Sequence, residues 1–540
     1  MLKPLSWTRL FLLCLFFTLP LAEAVWPQSI QELTEADFKA MRLILSEQDR
    51  KAFDRLNTLD EKREWARIYW KRRDPTPTTD QNERYEEFIQ RLKYVRQWFS
   101  APSELGFDDR GRIYLRYGEP TERFVQPIGE LNVKPNESWS YSGIYPGLVF
   151  DFVSRGTYYR LVDDLSQALG ARTEPAAEME NLINLYDSRT HLDPRYERIA
   201  SELRRALSVD MSDYGARSDP RNLRIGNLNL ARQEMADIVN ELQRIRTEAP
   251  KVVYRHDYKK KPLAIAHSLA RFRAPDGRVR VELYYGIPYN QLQFEPRGQL
   301  FQAPLIGSIA VFDSSFRRLA LDSINTRLLA RNAVAMQRGA FISQFNFRLA
   351  PGKYHLAIRF ENPAGNRLGI LRAEFTCPLF PDDALAMSDL QLSPQIVRPH
   401  GIAGRDSVQQ QRMRRFIKHG LRVMPLPGLT IDKSRMLYVY FEIYNLQADA
   451  GGKTQYELEY SLRDLAEKKG LIRRLFGGKK PVLSVVESRS GRDRNPIEYI
   501  GIDLSQQKPG KYRLQIVVRD KVSGQKVQAS VPVNVVQRAG

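Results

Sequence analysis

The spacing of apolar residues changes period twice along the chain. From Leu33 to Phe99 they recur three and four apart, the stripe of amphipathic helices. Thr58-Leu59-Asp60-Glu61 is a capping box, in which hydroxyl and carboxylate satisfy the first free amides reciprocally. The helix after it carries Trp65, Ile68 and Tyr69 on one face and ends near Arg73-Asp74, because Pro75 cannot continue it. Thr79 or Asp80 is expected to cap a further helix with Tyr85, Phe88, Leu92, Val95 and Phe99 on its apolar side. After Gly106 the period falls to two. Ile113 to Tyr117, Trp139 to Tyr141, Leu148 to Phe152 and Tyr158 to Val162 predict short strands between Gly, Pro and Asn turns. Residues 25–165 thus read as one helical-plus-β domain. Residues 166–250 read as a helical segment, its last helix bearing Met235, Ile238, Val239, Leu242 and Ile245 and closed by Pro250. This segment either packs on the first domain or acts as a spacer.

From residue 251 onward the chain is strand-rich and repeats itself. Pro351-Gly352-Lys353-Tyr354-His355-Leu356 returns as Pro509-Gly510-Lys511-Tyr512-Arg513-Leu514. Upstream of each, a tyrosine-rich strand ends at Tyr289-Asn290 and at Tyr444-Asn445, at nearly the same spacing. Two landmarks in one order predict tandem antiparallel β-sandwich modules of immunoglobulin-like size, residues 251–380 and 425–538. A tyrosine after Pro-Gly can return its hydroxyl to nearby backbone, so these tyrosines read as structural. Residues 381–424 read as a linker, with Gly, Gln and Arg abundant from His400 onward and Pro425 and Pro427 just beyond. The fold class expected is multidomain α+β.

Trp70-Lys71-Arg72-Arg73-Asp74-Pro75-Thr76-Pro77 is followed by Asn82-Glu83, Phe88, Arg91 and Tyr94. Next come Gly106-Phe107-Asp108-Asp109-Arg110-Gly111-Arg112-Ile113-Tyr114 and Arg116-Tyr117-Gly118-Glu119-Pro120. This succession resembles the GWxTD domain of exported bacterial proteins, a family without an established biochemical role. Tyr440-Phe441-Glu442-Ile443-Tyr444-Asn445-Leu446 also resembles the β modules of such proteins. The resemblance covers residues 55–165 well, the β modules loosely, and 170–250 hardly at all. Phe107 stands where the naming tryptophan is expected, the spacing after it is one residue shorter, and the threonine is missing. Asp109-Arg110-Gly111 matches the end of the motif, so no role special to that tryptophan or threonine carries over.

The first residues change the compartment. Lys3 and Arg9 precede an apolar run from Leu10 to Leu21, and Ala22-Glu23-Ala24 supplies small residues for cleavage after Ala24, so 1–24 read as a secretory signal peptide. Leu13 precedes Cys14 where a lipoprotein needs a small residue. Later apolar runs are too short to span a bilayer. A chain of 540 residues suggests about three to four domains. After cleavage Cys377 alone remains, in an apolar strand pattern, so an inert buried thiol is expected and no intramolecular disulfide. The net charge of +20 suits an anionic partner. Outside the cytoplasm, in the periplasm or at the surface, this means an envelope protein or an anionic glycan or lipid surface rather than nucleic acid.

Two groups of residues are candidates for binding. The first is Arg73, Asp74, Asn82, Glu83, Arg91, Asp109, Arg110 and Arg112 around the motif. Its arginines either fork onto carboxylate or phosphate groups of a partner, or bridge the acids as an internal ionic framework. The second is Lys468, Lys469, Leu471, Ile472, Arg473, Arg474, Leu475, Phe476, Lys479 and Lys480. Six cations interleaved with apolar residues suit peripheral contact with an anionic membrane, or form a solvated hairpin tip. His191, His256, His267, His355, His400 and His419 lack metal-ligand spacing, and neither a serine elbow nor a phosphate-cradling loop occurs. No cofactor or metal is expected. The reading is a non-catalytic binding or scaffold protein. The alternatives are a hydrolase of cell-wall or surface glycan or peptide using Asp74, Glu83 and Asp109, and a peripheral membrane protein.

Overall fold

The computed structural model describes residues 30–126, 132–170, 175–207, 220–254, 257–399, 413–465 and 483–537. The expected signal peptide and the basic stretch 468–480 lie outside the described residues. The chain is mixed α+β, with most of its sheet in the C-terminal part. It divides into two compact units, Met1–His256 and Asp257–Gly540. No helix among the described residues is long and apolar enough to cross a membrane.

The first unit begins with α1 (Glu35–Arg42), α2 (Glu47–Phe53), α3 (Leu59–Arg72), α4 (Glu83–Trp98) and α5 (Asp109–Tyr117). An antiparallel sheet follows, β1 (Glu122–Val125), β2 (Asn136–Ser140), β3 (Val149–Ser154) and β4 (Tyr159–Val162), in sequential order. Then come α6 (Pro175–Asp187), α7 (Pro194–Leu207) and α8 (Pro220–Glu248). Every residue of β2 and β3 is buried, because helices cover both faces. Alternation along β3 assigns the faces. Phe150 and Phe152 join the aromatic core of α1–α5 with Trp70, Phe88 and Phe107, while Val149 packs with Tyr196, Ile199, Leu203 and Ile238 of α7 and α8. The helical segment 166–250 therefore closes the second face of the sheet.

Thr58 and Glu61 form the expected capping box of α3. Two local expectations are corrected. Asn82, rather than Thr79 or Asp80, caps α4, its side chain accepting from the Tyr85 amide. Residues 113–117, read as a strand, lie in α5, capped by Asp108. Ile113, Leu115 and Tyr117 are all buried, which imitates the two-residue period of a strand. A helix pressed on more than one side does this, and Gly111 permits the pressing: a Cβ there would meet the Phe107 ring at 2.5 Å.

In the second unit, residues Val279–Pro288 pair with Ala266–Arg273 and Ala340–Leu349 in a three-stranded sheet. A larger sheet runs through Arg318–Ala330, Leu300–Phe312, Gly352–Asn362 and Arg367–Cys377. The two share one core of Val281, Leu283, Ile309, Val311, Ile358 and Phe360, among others. The second module repeats the plan: Leu437–Tyr444 and its neighbours face a five-stranded sheet containing Thr454–Asp464, Gly510–Asp520 and Lys526–Val536. Tyr354 donates its hydroxyl to the Ala350 carbonyl at 2.8 Å, and Tyr512 does the same to Lys508 at 2.7 Å. Both copies thus tie the repeated tyrosine back four residues.

The stretch 381–424 is not a linker over its described residues. Ala386–Met387 and Gln391–Ser393 pair with Leu437–Tyr444, and Leu421–Met424 pairs with Gln395–Val397. Leu390, Leu392, Ile396, Leu421 and Val423 are buried, so the period-two pattern outweighs the Gly- and Gln-rich centre between them.

Candidate functional site

The motif-centred residues separate into two sets. At the α3–α4 corner, Pro75 ends α3, and Asn82 opens α4 while its amide donates to the Trp70 carbonyl at 2.8 Å. Asp74 is fully buried, accepting from the Thr76 amide at 3.0 Å with the Lys71 ammonium at 3.5 Å. Arg73 donates to Asp49 at 2.7 Å and lies over the Tyr69 ring. Glu83 accepts from the Thr76 hydroxyl. Arg91 donates to Glu87 and to the carbonyl of Leu115. It crosses α4 to α5 just where Gly118, at φ +79°, leaves no side chain in its way.

The second set is built on the α5 N-terminus. Asp108, the cap, accepts from its own Arg110 amide at 3.0 Å and from the Tyr159 amide at 2.9 Å. The Arg110 guanidinium forks onto Asp108, with Nη2 to Oδ2 at 2.7 Å, and gives Nη1 to Glu137 Oε1 at 2.7 Å. Its plane lies against Tyr159 and Phe99, 3.7 and 5.0 Å from the ring centroids. Burial alone would lower the Arg110 pKa, but Asp108 and Glu137 more than reverse this, and it stands above its ordinary value. Glu137 also accepts from Arg123 at 2.8 Å and from the Trp139 indole at 3.0 Å. Asp109 accepts from the Leu161 amide at 2.9 Å, with Arg112 at 3.5 Å.

Of the eight binding candidates, Arg110 is the plainest correction. Its side chain is only 11% exposed and engages two carboxylates, so it is an internal cross-link between α5 and the sheet rather than a fork for a partner. Asp74 and Asn82 are likewise inside. The carboxylates considered for hydrolysis sit in separate sets, Asp74 and Glu83 at the α3–α4 corner and Asp109 beside β4. Sequence reasoning missed Asp108, Glu137, Arg123 and Tyr159, which complete the α5 set. Recognising α5 as a helix would have made Asp108 its cap and revealed the first of them.

On the other face of the sheet a small cavity of about 10 Å³ has a mainly apolar lining, with Val149, Ile199 and Ile238 beside Asp151, Arg195 and Tyr196. That volume holds about one water. Burial, then Asp151, pushes the Tyr196 phenol well above its ordinary pKa, so it stays a donor to Asp151 at 2.7 Å.

No protein-family model matches the chain, and no curated protein matches it. Among solved structures, Escherichia coli alpha-2-macroglobulin activated by porcine elastase matches over 53% of this chain and 23% of that one. The identity is 9% and the TM-score 0.14, too loose to carry an argument. This chain spans under a quarter of that protein's length.

A third polar cluster, also missed, lies between the two β modules. The Lys418 ammonium donates to Glu282 Oε2 at 2.8 Å and lies over the Phe272 and Tyr440 rings. Arg280 bridges the modules, 3.2 Å from Glu282 and 2.6 Å from Glu442. Each glutamate accepts from the tyrosine two residues on, Tyr284 at 2.6 Å and Tyr444 at 2.8 Å. Glu-x-Tyr therefore occurs once in each module, and an acid inside a mostly apolar strand was the available signal. Arg271 adds a bidentate pair to Asp389 across the same junction.

Proposed function

We propose that this protein is an exported, non-catalytic scaffold of the bacterial cell envelope that docks an anionic envelope partner. The observation that carries this reading is the uneven charge. Acidic and basic residues of Met1–His256 balance to within one, so the whole excess of +20 belongs to Asp257–Gly540. In that unit the buried Glu282–Lys418–Arg280–Glu442 junction fastens two modules together, which suits a presenting body more than a hinge. The charged, apolar and small-residue start supports export, and the 70–120 succession supports a place among GWxTD proteins. The two modules are taken as immunoglobulin-like sandwiches.

The test is sedimentation of the mature chain with a whole bacterial envelope fraction. Co-sedimentation at low salt and release at high salt is the expected result, since exposed charges are screened within about 8 Å at physiological ionic strength. A chain that stays in the supernatant at low salt refutes the reading.

A further inference from the structure

The five-stranded sheet of the second module turns one face to its core and the other outward. Tyr512, Leu514 and Leu462 point inward. By alternation Lys511, Arg513 and Arg463 point outward, and all three are exposed. Arg463 is directly opposite Arg513 across the antiparallel ladder. Directly opposed residues have Cβ atoms about 5 Å apart, and like charges there oppose folding. Among the described residues no carboxylate pairs with Arg463, Arg513 or Lys511. Asp464 faces the other way, opposite Tyr512.

The next row along the sheet, Ser461, Gln515 and Ser530, is uncharged. It separates the three cations from Glu459 in the row beyond and from Glu457, which pairs with Lys521. Beside the cations Leu465 is 41% exposed. Unneutralised cations beside an exposed aliphatic side chain fit a bilayer surface, where stems and leucine lie at the acyl boundary and the charges meet phosphates. A soluble acidic polymer would reward the cations but leave Leu465 in water.

We propose that the Arg463–Lys511–Arg513 corner of this face is a docking site for an anionic phospholipid bilayer. It rests on the envelope reading above and names its partner class. The site consists of the three described cations and Leu465.

The test is vesicle co-sedimentation of the full mature chain, with neutral phosphatidylcholine vesicles and with vesicles containing phosphatidylglycerol. The expected result is binding to the anionic vesicles alone. The triple variant Arg463→Ser, Lys511→Ser, Arg513→Ser should bind about a hundredfold more weakly, each cation near an anionic surface being worth about a factor of five. A charge-matched control, Arg327→Ser, Arg331→Ser, Lys353→Ser, should stay within a few-fold of wild type. All six side chains are exposed, and unchanged thermal unfolding checks that each variant is folded. Wild-type binding by the first variant, or equal loss in both, overturns the site. A chain that sediments with envelope but not with anionic vesicles overturns the lipid partner and leaves the envelope reading standing.

Discussion

Lys418 and Glu282, 136 residues apart, meet at 2.8 Å with side chains 12% and 5% exposed. Removing one partner of a buried pair leaves the other charge without compensation, at about 3 to 5 kcal/mol. Lys418→Met should destabilise the second unit by that much. The double variant Lys418→Met, Glu282→Gln should recover most of it. Urea unfolding of wild type, Lys418→Met, Glu282→Gln and the double variant gives the coupling directly, and additive losses would show that the pair does not act as one.

Acid should loosen the same junction. Burial raises the Glu282 pKa, but Lys418, Tyr284 and Arg280 outweigh it, and the carboxyl stands below its ordinary 4.5. The unfolded chain then binds this proton more readily. The contribution is complete above 4.5 and is lost as pH falls through the folded value. Glu442 faces the same cluster, with Tyr440 and His419 beside it. Thermal unfolding below pH 4.5 should fall more steeply for wild type than for Glu282→Gln. Parallel curves would refute this.

Arg110→Ala should unfold the first unit more readily, again by about 3 to 5 kcal/mol, because Asp108 loses its fork and Glu137 keeps Arg123 as its one cation. Trp139, bonded to Glu137, makes its fluorescence a direct reporter. A variant as stable as wild type would show that the α5 set is dispensable to the fold.

Tyr354→Phe and Tyr512→Phe each remove one hydroxyl-to-carbonyl bond of the same geometry. Each should cost about 1 kcal/mol. Lying in different modules, the two losses should add within about 0.5 kcal/mol, measured by denaturant titration.

Burial pushes the Cys377 thiol up to about 11. A maleimide at neutral pH should therefore label the native chain only as fast as it opens, and denaturant should release full labelling. Rapid labelling of the folded protein would contradict the burial.

Much of the architecture is legible because it is periodic. The stripe of α4 and the repeated Pro-Gly-Lys-Tyr each report a buried face, and the apolar run of β3 reports a strand covered on both. The α5 helix was not legible, because contact on several sides made Ile113, Leu115 and Tyr117 look like a strand. The linker was misread because the apolar alternation of 390–396 and 421–423 flanks a longer polar centre. The ionic sets resist sequence reading for another reason: Arg110 meets Glu137, and Lys418 meets Glu282, across separations that no local pattern records.

The shared Arg280 has a consequence for descent. Glu282 and Glu442 come from different strands 160 residues apart, yet one guanidinium serves both, and Lys418 pairs directly with the first. Neither acid can drift alone: a replacement of either one changes the surroundings of the other. Sequences descended from this one should therefore vary at the two positions together, as partners in a dimer interface do, although here both partners are inherited on a single strand of message.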